Sequence, residues 1–268
     1  MKIVGILSWY DEAPQWLSTA VSGFARLCDQ IVAVDGAYAL LPGARPCSHP
    51  MQAEAVMGAA ESAGVGCLIH RPNTLFFGNE VEKRNLTLAL AAPFLKQDED
   101  WVLVFDADCH VFRCDPIAVR GRLENSTEDL ASYTYLDVED MFSLPELAKM
   151  VRDDDYSTES TGRTRDMYRW HPSLMYGPQH WITSREYPVK GKKGAVERRW
   201  LRNYKSGAQD ILDLDSDLVV YHRSRDRAMV RRQAQDEYYR ARELHGVEEY
   251  KDGDPIINGL KIKEASNV

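Results

Sequence analysis

The feature that most constrains this chain is the alternation of short apolar runs with amphipathic segments over residues 3–105. Ile3–Leu7 is short and continuously apolar, which is typical of a strand buried on both faces of a sheet. Leu17, Val21 and Phe24 then recur at helical spacing after Pro14, a residue that the first turn of a helix tolerates. Because strands alternate with helices, we predict an α/β fold with a mostly parallel sheet flanked by helices.

The same alternation continues along the chain. Asn79 is placed to cap a helix, and Glu82 completes a capping-box pattern three residues later. Further strands are predicted at Ile31–Val34, Cys67–His70, Trp101–Phe105, Leu130–Leu136 and Leu218–Tyr221. Helices are predicted at Met51–Ala63, Pro145–Arg152 and Asp226–Leu244, and polar loops at Asp153–Arg165 and Lys190–Lys193.

Composition narrows the class of protein. The 268 residues suit one domain with an elaborated C-terminal part, and the formal net charge of −8 lacks the basic surplus of a dedicated nucleic-acid binder. No apolar run approaches the roughly 20 residues of a membrane span. Met1–Leu7 is too short for a signal peptide, so we expect a cytoplasmic protein. The five cysteines show no CxxC spacing, which argues against a disulfide framework or structural zinc.

Acidic side chains follow several of the predicted strands. Asp11 and Glu12 come after the first strand, Asp35 after the second, and Asp106 and Asp108 after Trp101–Phe105. Sheets of this kind bind ligands in the crevice at the carboxyl ends of their strands. The acids are therefore expected to meet at a binding site.

Asp106-Ala107-Asp108 is the motif that carries chemistry. Carboxylates two residues apart can point to the same side of an extended chain, where they repel unless a cation lies between them. Mg²⁺ and Mn²⁺ prefer such oxygen ligands and keep positions open for phosphate oxygens. The motif therefore predicts a divalent-metal site; the alternative is a solvated loop whose carboxylate caps the next helix.

Four segments together resemble a known family. They are Ser8–Glu12, Val34–Gly36, Glu82–Asn85 and Phe105–Asp108. In this order they resemble the N-terminal 115 residues or so of family 2 glycosyltransferases, whose GT-A fold carries an Asp-X-Asp motif. The resemblance implies a single GT-A domain over residues 1–268, with a nucleotide-sugar-binding half at 1–115 and an acceptor-side half with a C-terminal helix at 116–268.

The resemblance also implies roles for particular residues. Asp11 or Glu12, together with Asp35, would hold the nucleoside, although Asp35-Gly36-Ala37 lacks the second acid and the serine common in the family. Asp106 would contact ribose or metal-bound water, and Asp108 would bind Mn²⁺ or Mg²⁺ directly. The positions expected to face the nucleotide or its diphosphate are Lys83, Arg84 and Asn85.

A second group of candidates lies near the C-terminus. Some GT-A enzymes use a histidine there as a further metal ligand, and His222, which ends the strand Leu218–Tyr221, is placed for that role. Arg223 follows it, and its guanidinium suits the phosphate oxygens of the donor. The alternative for His222 is a half-exposed residue that merely ends the strand.

The acceptor side is less defined. An inverting enzyme needs a base to deprotonate the acceptor hydroxyl, and the candidates are Asp137, Glu139, Asp140 and Asp210; a retaining enzyme can dispense with such a base. Tyr168–Trp181 is rich in aromatic residues and histidines, which indicates either a sugar pocket or the core of a small antiparallel extension.

The sequence therefore predicts a glycosyltransferase that uses a nucleotide-diphosphate sugar, UDP- or GDP-linked. The acceptor is left open between a small metabolite, a glycan, a protein side chain and a modified nucleobase. One alternative is a nucleotidyltransferase, but Ser8–Glu12 has neither the Gly nor the Lys usual in that class after the first strand. The other is a non-catalytic carbohydrate- or nucleotide-binding protein of the same fold, against which the intact Asp106, Asp108 and His222 argue.

Overall fold

The fold is described from a computed structural model. It covers residues 1–39, 41, 43–74, 76–137, 163–177, 183–201, 211–214 and 217–222. For residues 135–137, 163–166, 183, 200 and 222 the description is limited to the backbone. The predicted segments 145–152, 153–162 and 226–244 lie outside the described residues, as do Asp210 and Arg223.

Twelve strands and four α-helices are described. The strands are β1 Ile3–Trp9, β2 Gln30–Asp35, β3 Gly66–His70, β4 Trp101–Asp106, β5 Cys109–Cys114, β6 Leu130–Asp137, β7 Arg163–Arg169, β8 Met175–Tyr176, β9 Thr183–Pro188, β10 Val196–Trp200, β11 Ile211–Asp213 and β12 Leu218–His222. The helices are α1 Pro14–Phe24, α2 Pro50–Ser62, α3 Glu80–Ala91 and α4 Pro116–Asn125, and a 3₁₀ turn at Ala92–Phe94 extends α3.

The large sheet has the strand order β3-β2-β1-β4-β7-β6-β12-β5, with β11 beside β6. Strands β3, β2, β1 and β4 run parallel, and so do β6, β11 and β12, whereas β7 and β5 run antiparallel to their neighbours. This arrangement confirms the predicted α/β class, a mostly parallel sheet flanked by helices, and is consistent with a GT-A fold. Because β1, β2 and β4 are parallel neighbours, their carboxyl ends lie at one edge.

Local signals set the helix starts as expected. Helix α1 begins at Pro14, and the Asn79 side chain caps α3 by accepting a hydrogen bond of 2.8 Å from the Glu82 N–H. The Glu82 carboxylate reaches back one residue beyond the cap, to the Gly78 N–H at 2.7 Å. The first turn of α3 is therefore held from both sides, which fixes the direction of the side chains that follow it.

Six of the described strands, β5 and β7–β11, were not predicted from the sequence, and β5 and β7 show why. Residues 109–114 form β5, which pairs with β12, although no strand was predicted there. Arg163–Arg165 belong to β7 rather than to the predicted loop, and β7 lies between β4 and β6. Neither segment has a clear period of two in its apolar residues, so pairing with neighbouring strands, rather than local pattern, makes them extended.

Apolar side chains cover both faces of the sheet. On one face the rings of Phe24 and Phe105 stack with their centroids 4.4 Å apart in a cluster that includes Leu7. On the other face Leu88 from α3 packs with Trp170 and residues of β1 and β4. The sheet is thus buried on both sides, as its continuously apolar strands require.

A smaller sheet, in the order β10-β9-β8, is fastened to the large one by Arg185. Its guanidinium donates to Asp98 and Asp129 at 2.5 and 2.6 Å, and the Tyr187 hydroxyl donates to Asp129 at 2.6 Å. Burial and this hydrogen bond raise the pKa of Tyr187 above its ordinary value. The phenol therefore stays protonated as a donor through the neutral range.

Gly36 gives a test of the packing at the end of β2. A Cβ placed there would come within 2.3 and 2.7 Å of ring carbons of the buried Phe77. We expect Gly36→Ala to lower the free energy of unfolding by about 1–3 kcal/mol, measured by urea denaturation, because the ring must move.

The matched control is Gly58→Ala in the middle of α2, where nothing lies within 4 Å of the added carbon. Since alanine is the better helix former, that variant should gain about 0.5–1 kcal/mol. Equal effects of the two substitutions would contradict the packing argument.

Candidate metal and nucleotide site

Asp106 ends β4, and Asp108 is the second residue of the two-residue turn that joins β4 to β5. One carboxylate oxygen from each, together with the Sγ of Cys109, form a set whose members all lie within 4.8 Å of one another. Asp108 is 1% exposed. Two carboxylates held this close at the edge of a sheet fit a divalent cation, because a cation offsets their repulsion and oxygen is the donor that hard ions prefer.

Arg84 connects α3 to this acid pair. Its Nη2 donates to Asp106 Oδ1 at 2.9 Å and to Glu80 Oε1 at 2.8 Å. Its guanidinium also lies 5.6 Å from the centroid of the Tyr176 ring, which places it over that ring. A buried cation therefore stands beside the first carboxylate of the motif, and contact of Arg84 with a nucleotide or its diphosphate remains a prediction.

Lys83 lies one residue earlier and points elsewhere. Its ammonium donates to the backbone carbonyls of Trp9 and Gly36, at 2.5 and 2.7 Å, and the side chain is 1% exposed. In this arrangement Lys83 ties the carboxyl ends of β1 and β2 together. Contact with a nucleotide remains a prediction for Lys83.

Asp35 is the centre of a buried network at the end of β2. Its carboxylate accepts from the Ser48 hydroxyl at 2.5 Å, from the Ser48 N–H at 3.1 Å and from Arg71 Nε at 3.0 Å. Arg71 Nη2 also donates to the Ser48 carbonyl at 2.6 Å. The Asp35 side chain is 0% exposed, whereas that of Arg71 is 26% exposed, so Arg71 is the member that solvent or a ligand can reach.

Sequence reasoning missed both Ser48 and Arg71. Arg71 directly follows β3, and the strand-end argument that selected the acids applies equally to a cation at that position. Ser48 gave no such signal, because it lies in the connection before α2 and meets Asp35 only when that connection folds back over the sheet.

The turn after β1 is held against the same connection. The Asp11 N–H donates to Ser48 Oγ at 2.8 Å, and the Glu12 N–H donates to Gln52 Oε1 at 3.0 Å. Asp11 is exposed and has a positive φ of 51°, whereas Glu12 is buried. Of the two acids proposed for the nucleoside, Asp11 is therefore the one open to solvent.

Asn85 joins α3 to the smaller sheet. Its amide oxygen accepts from the Tyr176 N–H at 2.8 Å, and its amide nitrogen donates to the Tyr176 carbonyl at 3.2 Å. Trp170 and Tyr176 are both buried, which favours the core of an antiparallel extension over a sugar pocket for these two residues. Trp181 lies outside the described residues.

His222 and Asp137 end neighbouring parallel strands. In the backbone register His222 lies opposite Asp137 of β6 and opposite Cys109 of β5, the residue that follows Asp108. The chain therefore brings the predicted C-terminal ligand and one candidate base to the strand edge that carries the acid pair. Glu139 and Asp140, the other candidate bases of this segment, lie outside the described residues.

An apolar groove of about 810 Å³ runs beside this region, between α3 and the segment before β8. Asn85, Leu88 and Trp170 are among its lining residues, but Asp106 and Asp108 are not. The groove and the acid pair are therefore separate features of the described structure.

Comparisons with known proteins give weak similarity. No protein-family model and no curated protein matches the chain. Among solved structures, residues 1–349 of S. aureus TarS in complex with UDP-GlcNAc align with a TM-score of 0.40 and 14% identity, over 63% of this chain and 45% of that one. The complex of the same TarS fragment with UDP gives 0.40 and 14%, over 63% and 47%.

The S. aureus TarS structure with the longer chain gives a TM-score of 0.37 and 12% identity, over 63% of this chain and 28% of that one. This chain therefore spans less than half of each of these proteins, and similarity at this level carries no argument about function.

No helix in the described part of the chain has the length and apolar character needed to cross a bilayer.

Proposed function

We propose that this chain is a divalent-metal-dependent glycosyltransferase that moves a sugar from a nucleotide-diphosphate donor to an acceptor hydroxyl. The observation that carries the proposal is the acid pair Asp106 and Asp108, whose oxygens approach within 4.8 Å at the strand edge where β1 and β2 also end. In sheets of this kind that edge is where ligands bind.

The diphosphate of the donor is proposed to be bound by a metal ion, which the acids hold, and by basic side chains. Asp106, Asp108 and His222 would hold Mn²⁺ or Mg²⁺, and such an ion offsets the negative charge that gathers on the departing diphosphate. Arg84 bridges Glu80 and Asp106, and we propose that its guanidinium also donates to the phosphate oxygens when the donor binds. Arg223, which directly follows β12, is proposed as a second cation for the same group.

The nucleoside is proposed to bind over the ends of β2 and β3. Asp35 orients Arg71 through a 3.0 Å ion pair, so that the partly exposed guanidinium meets the base or ribose. Asp11 adds an exposed carboxylate beside them, while Glu12 and Lys83 stabilise the turn and the strand ends. Asn85 uses both ends of its amide on Tyr176 and thereby holds the acceptor side against α3.

The acceptor hydroxyl loses its proton to a carboxylate in an inverting reaction. Asp137 is proposed first, because its backbone lies beside His222 at the strand edge, and Glu139 and Asp140 follow it in the chain. Sugar transfer with retention needs no base there. The anomer of the product therefore tests whether such a base is needed.

The deciding experiment is a screen of UDP- and GDP-sugars for Mn²⁺- or Mg²⁺-dependent release of free sugar, with analysis of the anomer formed. Release of sugar and a nucleoside diphosphate is expected. Formation of inorganic pyrophosphate from a nucleoside triphosphate and a sugar phosphate would point instead to a nucleotidyltransferase. If the protein binds the nucleotide but turns over no donor even when acceptors are supplied, it is a non-catalytic binding protein of the same fold.

His222 gives a further prediction. We expect His222→Ala to weaken Mn²⁺ binding about 10-fold, measured by calorimetry, because one of the few protein ligands is lost. Thermal stability without metal should not change. His70→Ala serves as the control, since His70 ends β3 on the other side of β2 and β1 from the acid pair. A normal Mn²⁺ titration of His222→Ala would remove His222 from the site.

A further inference from the structure

We infer that Cys109 is a thiolate ligand of the metal site formed by Asp106 and Asp108, and that it shifts the preference of the site from Mg²⁺ toward softer divalent ions such as Co²⁺, Zn²⁺ and Cd²⁺. The inference rests on the metal site of the proposed function and specifies the class of ion that this site selects.

The position of the sulfur carries the argument. Cys109 begins β5, and its Sγ lies within 4.8 Å of a carboxylate oxygen of both Asp106 and Asp108. Around a tetrahedral ion with bonds of about 2.0–2.3 Å, neighbouring ligand atoms are roughly 3.5 Å apart. A closing movement of about 1 Å would be enough to bring the three atoms to the spacing of ligands on one ion.

Neighbouring strands support the same position. Cys109 pairs in register with His222 of β12, the histidine expected to supply a further ligand. Within the described part of the chain, no second group of three acidic, histidine or cysteine ligands comes this close together. The backbone of Cys109 is thus paired with the strand that ends in the predicted histidine, while its sulfur lies near the acid pair.

The three buried cysteines of the described chain, Cys28, Cys109 and Cys114, all pack in the same apolar cluster, and only Cys109 also lies beside two carboxylates. Cys28 packs under Gly5 in the core, where burial raises the pKa of its thiol. Cys114 ends β5 beside the Arg26 guanidinium, and burial raises its pKa to about 11. Neither belongs to a group of ligands, so Cys109 is distinguished by its neighbours rather than by its burial.

The chemistry of a mixed donor set explains the expected selectivity. Mg²⁺ takes oxygen ligands almost exclusively, whereas thiolate favours zinc and other soft or borderline ions. When such an ion binds, the Cys109 thiol releases its proton to solvent and the sulfur donates an electron pair to the ion. A serine at this position offers only a hard oxygen, which removes the advantage of the softer ions.

The test uses the full chain with Co²⁺, Cd²⁺ and Mn²⁺ as probes. Co²⁺ bound to the wild-type protein should show sulfur-to-metal charge-transfer absorption in the near ultraviolet, and Cys109→Ser should lose it. In calorimetry, Cys109→Ser should weaken Cd²⁺ binding by at least about 10-fold, while Mn²⁺ binding changes by less than about 2-fold.

Cys114→Ser is the matched control, because it removes a buried thiol from the other end of the same strand. It should keep the absorption band and the Cd²⁺ affinity of the wild type. Absence of the band from wild-type protein overturns the inference even if Cys109→Ser does not fold, and so does a band that persists in Cys109→Ser.

The outcomes separate this inference from the proposed function. If Asp108→Asn abolishes Mn²⁺-dependent nucleotide binding and Cys109→Ser leaves the ratio of Cd²⁺ to Mn²⁺ affinity unchanged, the glycosyltransferase proposal stands and the thiolate ligand is rejected. If the wild-type protein binds none of the ions, with or without nucleotide, both proposals fail together.

Discussion

Asp108→Asn should abolish Mn²⁺-dependent binding of a nucleoside diphosphate and lower the rate of sugar release by about 10³-fold or more. The substitution keeps the shape of the side chain and removes its charge. Because Asp108 is buried beside Asp106, the neutral amide leaves only one of the two carboxylates proposed to hold the ion. The loss should therefore be seen in binding as well as in turnover.

The measurement is calorimetric titration of UDP and GDP with and without Mn²⁺, alongside the sugar-release assay. Glu124→Gln, which removes one exposed carboxylate from the C-terminal part of α4, is the charge-matched control and should bind like the wild type. Circular dichroism establishes that both variants are folded. Unchanged Mn²⁺-dependent affinity in Asp108→Asn would count against the metal site and the function built on it.

Asp35→Ala should lower the free energy of unfolding by about 2–3 kcal/mol, because it removes a fully buried carboxylate and leaves its hydrogen-bond donors without an acceptor. The variant leaves the Ser48 N–H and the Arg71 Nε without the carboxylate that accepts from both. Ser48 also holds the turn after β1 through the Asp11 N–H. The affinity for nucleotide should therefore fall together with the stability.

Urea denaturation measures the first effect, and nucleotide titration below the unfolding transition measures the second. Glu99→Ala is the control, since Glu99 belongs to a surface pair with Lys96 at 3.7 Å and its side chain is 66% exposed. That variant should change the free energy of unfolding by less than about 0.5 kcal/mol. If Asp35→Ala lowers the free energy of unfolding by no more than Glu99→Ala does, the buried network contributes little to stability.

The pattern of residues along the chain is enough to predict the N-terminal half of the fold. Short apolar runs and helical spacing place β1–β4 and α1–α3 to within a few residues, and Asn79 marks the start of α3. These features depend on local physics, namely side-chain periodicity and the capping of free backbone N–H groups. For the same reason, the sequence alone places Asp106 and Asp108 at the end of a strand.

The partners of the site residues depend on which strands become neighbours, and no local pattern encodes that choice. Asp35 contacts Ser48 and Arg71 because the connection before α2 and the residue after β3 both pack against the end of β2. Asn85 meets Tyr176 across 91 positions of sequence. Trp170 and Tyr176 are equally suited to a pocket or a core until α3 packs over them. Cys109, a small apolar residue by sequence, becomes a candidate ligand only when the turn after β4 brings its sulfur to the carboxylates.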